Sequence, residues 1–120
     1  MTSVLNVDTI ADKAGTGPVT LTKQHAAKAW ATVDGSSGTP SLTSSFNCSS
    51  NTDLGTGSYA THLTNAMSDA DYPIVASDNE RGCGESNNNT SSRVDVIIRN
   101  PTNLSAVDAT SFFAVHGDLA

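Results

Sequence analysis

An all-β fold, an antiparallel β-sandwich or small β-barrel, follows from three features of the 120-residue sequence. Short segments in which apolar and polar residues alternate recur from end to end, and Gly, Pro, Asn and Asp residues separate them at regular spacing. The third feature is the lack of any helical periodicity beyond QHAAKAW, a stretch too short to persist as a helix. Without helical crossovers a parallel α/β sheet has no connections, which leaves a sandwich or barrel of about eight short strands. A chain of this length fits one domain.

From the N-terminus, VLNVDTI reads as extended, AGTGPV as a turn, and VTLTKQ alternates again, with Val19 and Leu21 flanking Thr20. This stretch, residues 1–24, differs in texture from the rest of the chain and reads as an extended N-terminal arm or shaft-like docking segment; residues 25–120 read as the β-domain. KAWATVDG is a strand that stops at the Asp34-Gly35 turn signal, GSSGTP is a loop, and SLTSSFNCSS is the next strand. NTDLGTG then reads as a tight reversal: Gly55 and Gly57 accept positive φ, and Asn51 and Asp53 cap the bend with their side chains. Beyond it Tyr59, Thr61, Leu63 and Met67 point one way, and Ala60, His62 and Thr64 the other. DYPIVAS is short, with Pro73 placing its start at an edge or strand beginning. DNERGCGESNNNTSS lacks hydrophobic periodicity and reads as the longest loop; RVDVIIRN and TSFFAVHG are the last strands.

Composition bounds the chemistry. Only 5% of the residues are aromatic and 37% are hydrophobic, so each buried position contributes little area and the core is thin. A thin core is a reason to expect completion by other copies of the chain. The net charge of −6, with six Lys and Arg placed singly, argues against a nucleic-acid partner and against an anionic membrane surface. No apolar run is long enough to span a bilayer, and MTSVLNVDTIADKAG has neither a basic n-region nor an apolar h-region, so synthesis without signal-dependent export is expected. Cys48 and Cys83 are then expected as thiols; whether they pair is a matter of geometry.

Candidate sites resolve mostly into framework. His25, His62 and His116 have no second ligand at metal spacing, and no metal or cofactor site is expected. DADY at Asp69 and Asp71 lacks the downstream Gly and Glu of a calcium loop and reads as a solvated turn. The glycine pairs in AGTGP and GTGS precede neither a helix nor a lysine, no nucleophile-elbow pattern is present, and the carboxylates form no mechanistic pair, so no catalytic residue is assigned. Trp30 reads as packing within its strand rather than as a ligand platform. The loop from Asp78 to Ser92 is the candidate contact surface, with Asn79, Glu80, Arg81, Glu85, Asn87, Asn88 and Asn89 as its exposed residues. Asp53, Gly55, Gly57 and Tyr59 are the structural turn and strand.

The succession KAWATVDG, SFNCSSNTDLGTGSYATHLTNAM, DADYPIVAS and SFFAVHG resembles a module of bacteriophage tail-fibre and related virion fibre proteins. That module is a Lys-Ala-Trp strand ending in Asp/Asn-Gly, a Phe-Asn-x-Ser-Ser strand, an Asp-x-Gly-Thr-Gly-x-Tyr turn and a strand ending in Ala-Met. Lys28, Ala29, Trp30, Asp34 and Gly35 match its start, Phe46, Asn47, Ser49, Ser50, Asp53, Gly55, Thr56, Gly57 and Tyr59 its centre, and Thr64, Ala66, Met67 and Tyr72 its end. Ala31, Val33, Cys48, Thr61 and Leu63 depart from it, standing where larger or more apolar residues are usual. LNVDTIADKAGTGPVTL is similar to a segment that recurs in such proteins.

The resemblance implies a virion structural protein, a short trimeric tail fibre or fibre tip whose loops meet a host-surface glycan or protein. It implies that the N-terminal arm docks onto other virion proteins or intertwines the copies, in a particle assembled in the host cytoplasm. Three other readings stay open at this point: a capsid decoration or head fibre, a free carbohydrate-binding module, and a small hydrolase of cell-surface polysaccharide, against which the missing carboxylate pair weighs.

Overall fold

Two four-stranded antiparallel sheets face one another in the computed structural model, which describes residues 26–80, 84–86 and 88–120. The strands are β1 (Ala29–Asp34), β2 (Ser41–Phe46), β3 (Cys48–Gly55), β4 (Ser58–Leu63), β5 (Ile74–Asp78), β6 (Gly84–Ser86), β7 (Arg93–Ile98) and β8 (Thr110–Val115). One sheet has the order β2-β1-β8-β5 and the other β3-β4-β7-β6. Every pairing is antiparallel and no helix occurs among the described residues, so the fold is the all-β sandwich that the alternating segments predict. The arm over residues 1–24, with VLNVDTI and VTLTKQ, lies outside the described residues.

The core is filled from both inner faces. Ala29, Ala31, Val33, Phe113 and Val115 come from the first sheet, Tyr59, Leu63, Val94, Val96 and Ile98 from the second, and Met67, Tyr72 and Ala109 close it from the connections. Small residues at Ala29, Ala31 and Ala109 make it thin, as the composition implies. The phase of β4 holds, with Tyr59, Thr61 and Leu63 inward. Met67 is buried too, but beyond the strand's end, on an isolated bridge to Leu119. The other face of β4 is partly covered: Ala60 is buried and lies opposite buried Asp95 of β7.

SLTSSFNCSS does not run as a single strand. Asn47 adopts a positive φ of 56° and breaks it into β2 and β3, carrying the chain from one sheet to the other. Asn tolerates this left-handed conformation, and here its side chain fixes the corner. Asn47 Nδ2 donates to the carbonyls of Lys28 (3.0 Å) and Asn65 (3.1 Å), and its Oδ1 accepts from the Asn65 backbone N–H (2.8 Å) and side chain (3.1 Å).

NTDLGTG is likewise less of a loop than expected, because β3 extends through Gly55 and leaves Thr56 and Gly57 as the turn. An edge strand with both faces mostly solvated needs no hydrophobic alternation, which hid it in the sequence. Within the expected long loop, Gly84–Ser86 forms β6, a three-residue edge strand on β7. A side chain at Gly84 would come within 2.9 Å of the Ala76 carbonyl carbon and the Ser77 nitrogen, so β6 lies tight against β5 where the two sheets meet. Strand β5 starts directly after Pro73 and occupies an edge, as Pro73 requires.

Candidate functional site

The turn that carries the resemblance is built into the framework. Asp53 Oδ1 accepts from the Gly55 N–H at 2.8 Å, while Gly55 (φ 120°) and Gly57 (φ 64°) supply the positive dihedrals. The other expected cap is corrected: Asn51 Oδ1 accepts from Thr61 Oγ1 at 2.9 Å across the β3-β4 pair and leaves the bend to Asp53. Gly57 then docks against the β7-β8 connection. Its N–H donates to Asp108 Oδ1 at 2.7 Å, the Ile98 N–H donates back to the Gly57 carbonyl at 2.7 Å, and a Cβ on Gly57 would lie 2.5 Å from the Val107 carbonyl oxygen. Tyr59 is buried, with its hydroxyl 3.4 Å from Asp108 Oδ1 and accepting from the Ala109 N–H at 3.3 Å. Asp53, Gly55, Gly57 and Tyr59 thus form one structural unit, whose anchor Asp108 had no signal in the sequence.

The candidate contact surface is only partly open loop. Asn79 and Glu80 are exposed at the end of β5, held by the Asn79 N–H to Thr110 carbonyl bond (3.1 Å) and the Glu80 N–H to Asp78 Oδ1 bond (2.7 Å). Arg81 and Asn87 lie outside the described residues, as does Cys83. Glu85 belongs to β6 and pairs with Arg99 Nε at 2.6 Å. Asn88 is exposed with φ 53°, and its carbonyl faces Arg93 Nη2 at 3.4 Å. Asn89 acts structurally: its Oδ1 accepts from the Asp95 N–H at 3.0 Å, extending the ladder beyond the end of β6, and its Nδ2 donates to Ser86 Oγ at 2.6 Å. Beneath them the Arg93 guanidinium grips the buried Asp95 carboxylate at 2.7 and 2.8 Å.

The most exposed apolar surface is elsewhere, on the outer face of the β2-β1-β8-β5 sheet. Register places Phe46, Trp30, Ala114 and Val75 in one row across its four strands, with Phe112 in the next row beside Thr32, Ser44 and Ser77. Trp30 is 40% exposed, Phe46 55%, Val75 68% and Phe112 40%. Trp30 does not join the core: Ala29 and Ala31 take the inward positions and put the indole on the outer face, where it is partly covered. A shallow, open depression of about 240 Å³ lies between β5 and β8, lined by Val75, Ser77, Phe112 and Ala114 among others. One signal for this face was present. Phe112 and Phe113 are adjacent in a strand, so one of the two rings had to face out.

Titratable groups near these features are held in their neutral or ionised states by local structure. Burial pushes the Cys48 thiol up to about 11, and its Sγ lies 3.3 Å from the Phe46 carbonyl oxygen and 3.5 Å from that of Trp30. Cys48 is half-buried, and Phe46, two residues before it, faces out. Burial, with the nearby Asp95 charge, raises Tyr72 to about 12; its single hydroxyl proton is shared between the carbonyls of Thr90 (2.7 Å) and Arg93 (2.8 Å). Hydrogen bonds from the Ser36 hydroxyl and N–H lower Asp34. Among the described residues no three His, Cys, Asp or Glu side chains come together in a way that could hold a metal ion, and Asp69 caps its own turn by accepting from the Asp71 N–H. No family model, curated protein or solved structure matches the chain.

Proposed function

We propose that the chain is a bacteriophage virion structural protein, a short trimeric tail fibre or fibre-tip component that presents loops to a host surface. The observation that carries this reading is the role of the signature turn. Residues Asp53 to Tyr59, on which the resemblance to fibre modules rests most firmly, serve as architecture: Gly57 and Tyr59 are buried and tied to Asp108 and Ala109. A motif whose residues brace a sandwich suits a protein whose work is to hold a shape and display its surface.

Multivalency supplies the mechanism. Several copies joined in one fibre convert weak contacts into intramolecular ones, so a single domain needs no deep pocket for its loops to hold a receptor. Asn79, Glu80, Glu85 and Asn88 are exposed on the candidate contact surface, beside Ser86, Thr90 and Ser92. Peptide mass spectrometry of purified particles tests the proposal. Peptides of this chain at a fixed stoichiometry to tail proteins are the expected result; their absence from the particle contradicts it.

A second reading, a carbohydrate-binding module, is favoured by the exposed rings of Trp30, Phe46 and Phe112. Binding of the isolated chain to an array of neutral glycans, lost on Trp30→Ala, distinguishes it.

A further inference from the structure

The geometry points to the outer face of the β2-β1-β8-β5 sheet as the surface through which one copy of the chain meets a second copy. This deepens the fibre reading by naming the contact and the partner, and it rests on that reading only for the particle in which the copies assemble.

Apolar area is the first support. An aromatic side chain buries about 200 Å², so the exposures of Trp30, Phe46, Phe112 and Val75 leave on the order of 400 Å² of apolar surface on one face. That lies within the range of the largest patches on monomers, which are often functional, and is about half of the ~800 Å² per partner of a standard interface. The hydroxyl-bearing residues around it, Thr32, Ser44 and Ser77, add the polar rim that surrounds the apolar centre of such contacts.

Charge selects the partner. The chain carries 12 acidic and 6 basic residues, so most approaches of one copy to another oppose like charges. This face carries little charge: in its four strands the one charged outward side chain is Asp34, at the far end from the Phe46-Trp30-Ala114-Val75 row and bound to Ser36 and Thr110. Two copies meeting here oppose no charged side chains across the apolar row. A glycan is disfavoured by the same inventory, because between the rings the face offers short hydroxyls and no amide, carboxylate or guanidinium to fix a sugar's orientation.

Trp30 is the only tryptophan and sits at the centre of the face, so its emission reports on the face directly. The experiment is sedimentation velocity on the full chain between about 1 and 100 µM, with Trp30 emission and iodide quenching on the same samples. The expected result is a mass rising to a multiple of the monomer, with emission moving to shorter wavelength and quenching falling several-fold in step. Phe46→Glu and Val75→Glu, both outward-facing, are expected to return mass and quenching to the monomer values while the far-ultraviolet β signal stays. A monomer at every concentration overturns the proposal, as does an assembly in which Trp30 stays fully quenchable. Protection of Trp30 by a neutral oligosaccharide on a monomeric chain also overturns it, in favour of the glycan reading. Presence of the chain in purified particles is read separately: a particle-bound chain with a quenchable Trp30 refutes the face and leaves the fibre, and the converse result does the opposite.

Discussion

The Gly57 backbone N–H donates a 2.7 Å hydrogen bond to the Asp108 carboxylate, 51 residues away along the chain. This contact fastens the tip of the β3-β4 hairpin to the connection between β7 and β8, beside the hydroxyl of Tyr59. Gly57→Ala is expected to cost about 3 kcal/mol or more, because the added Cβ meets Val107 backbone atoms and φ is positive. Asp108→Ala leaves a buried N–H unpaired, for about 1–3 kcal/mol, whereas Asp108→Asn keeps an acceptor oxygen and falls close to the parent. Urea unfolding midpoints of the three variants check this order.

At Asn47 conformation and hydrogen bonding separate cleanly. Asn47→Gly keeps the left-handed corner and loses the side-chain bonds to Lys28 and Asn65; Asn47→Ala loses both. Alanine is therefore expected to be the more damaging by about 1 kcal/mol. Equal losses in thermal or urea unfolding would mean that φ at this corner contributes nothing.

The Arg93-Asp95 pair is asymmetric in exposure, with side chains 33% and 5% accessible. Arg93→Ala strands a buried carboxylate and is expected to cost about 2–3 kcal/mol, less than for a fully buried pair because water reaches the guanidinium. The Glu85-Arg99 pair is accessible on both sides, at 48% and 34%. Glu85→Ala is accordingly expected to change stability by less than about 1 kcal/mol. Chemical denaturation of the two variants side by side tests the contrast.

Stability is expected to fall above pH 9. Cys48, with an ordinary value of 9.0, is raised to about 11, and Tyr72, with an ordinary value of 10.0, to about 12. In both cases the folded chain holds a proton that the unfolded chain has already released, so the stabilisation is complete below pH 9 and is lost as pH rises to 12. Cys48→Ala is expected to move the onset of the decline from about pH 9 to about pH 10, leaving the share that Tyr72 carries. At about pH 8 the Cys48 thiol of the folded chain is also expected to react with a disulfide reagent more slowly than in urea.

The sheet-forming segments were legible wherever one face of a strand is buried and the other wet, as in β1, where Ala29, Ala31 and Val33 alternate with Trp30 and Thr32. They were illegible where that contrast is missing. β3 and β6 are edge strands of polar residues with no hydrophobic stripe, and their ladders are held by backbone bonds that leave no mark in composition. β7 carries a contrast of the opposite sense: Asp95 lies in the polar phase between Val94 and Val96, yet it is buried, held by Asn89 and Arg93. The turn at Asp53-Gly57 was visible through its glycines, yet its anchor was not, since Asp108 lies far away in sequence. The aromatic face required knowing that β2, β1, β8 and β5 are neighbours, which brings Phe46, Trp30 and Val75 into one row from three distant segments.

Cryo-electron microscopy of purified particles tests the central claim most directly. A fibre is expected to show density for this sandwich at the tail, several copies about a common axis, with the Trp30 face of each turned toward another copy. Density on the capsid would contradict the tail assignment, and particles with no density for the chain would contradict the virion reading altogether.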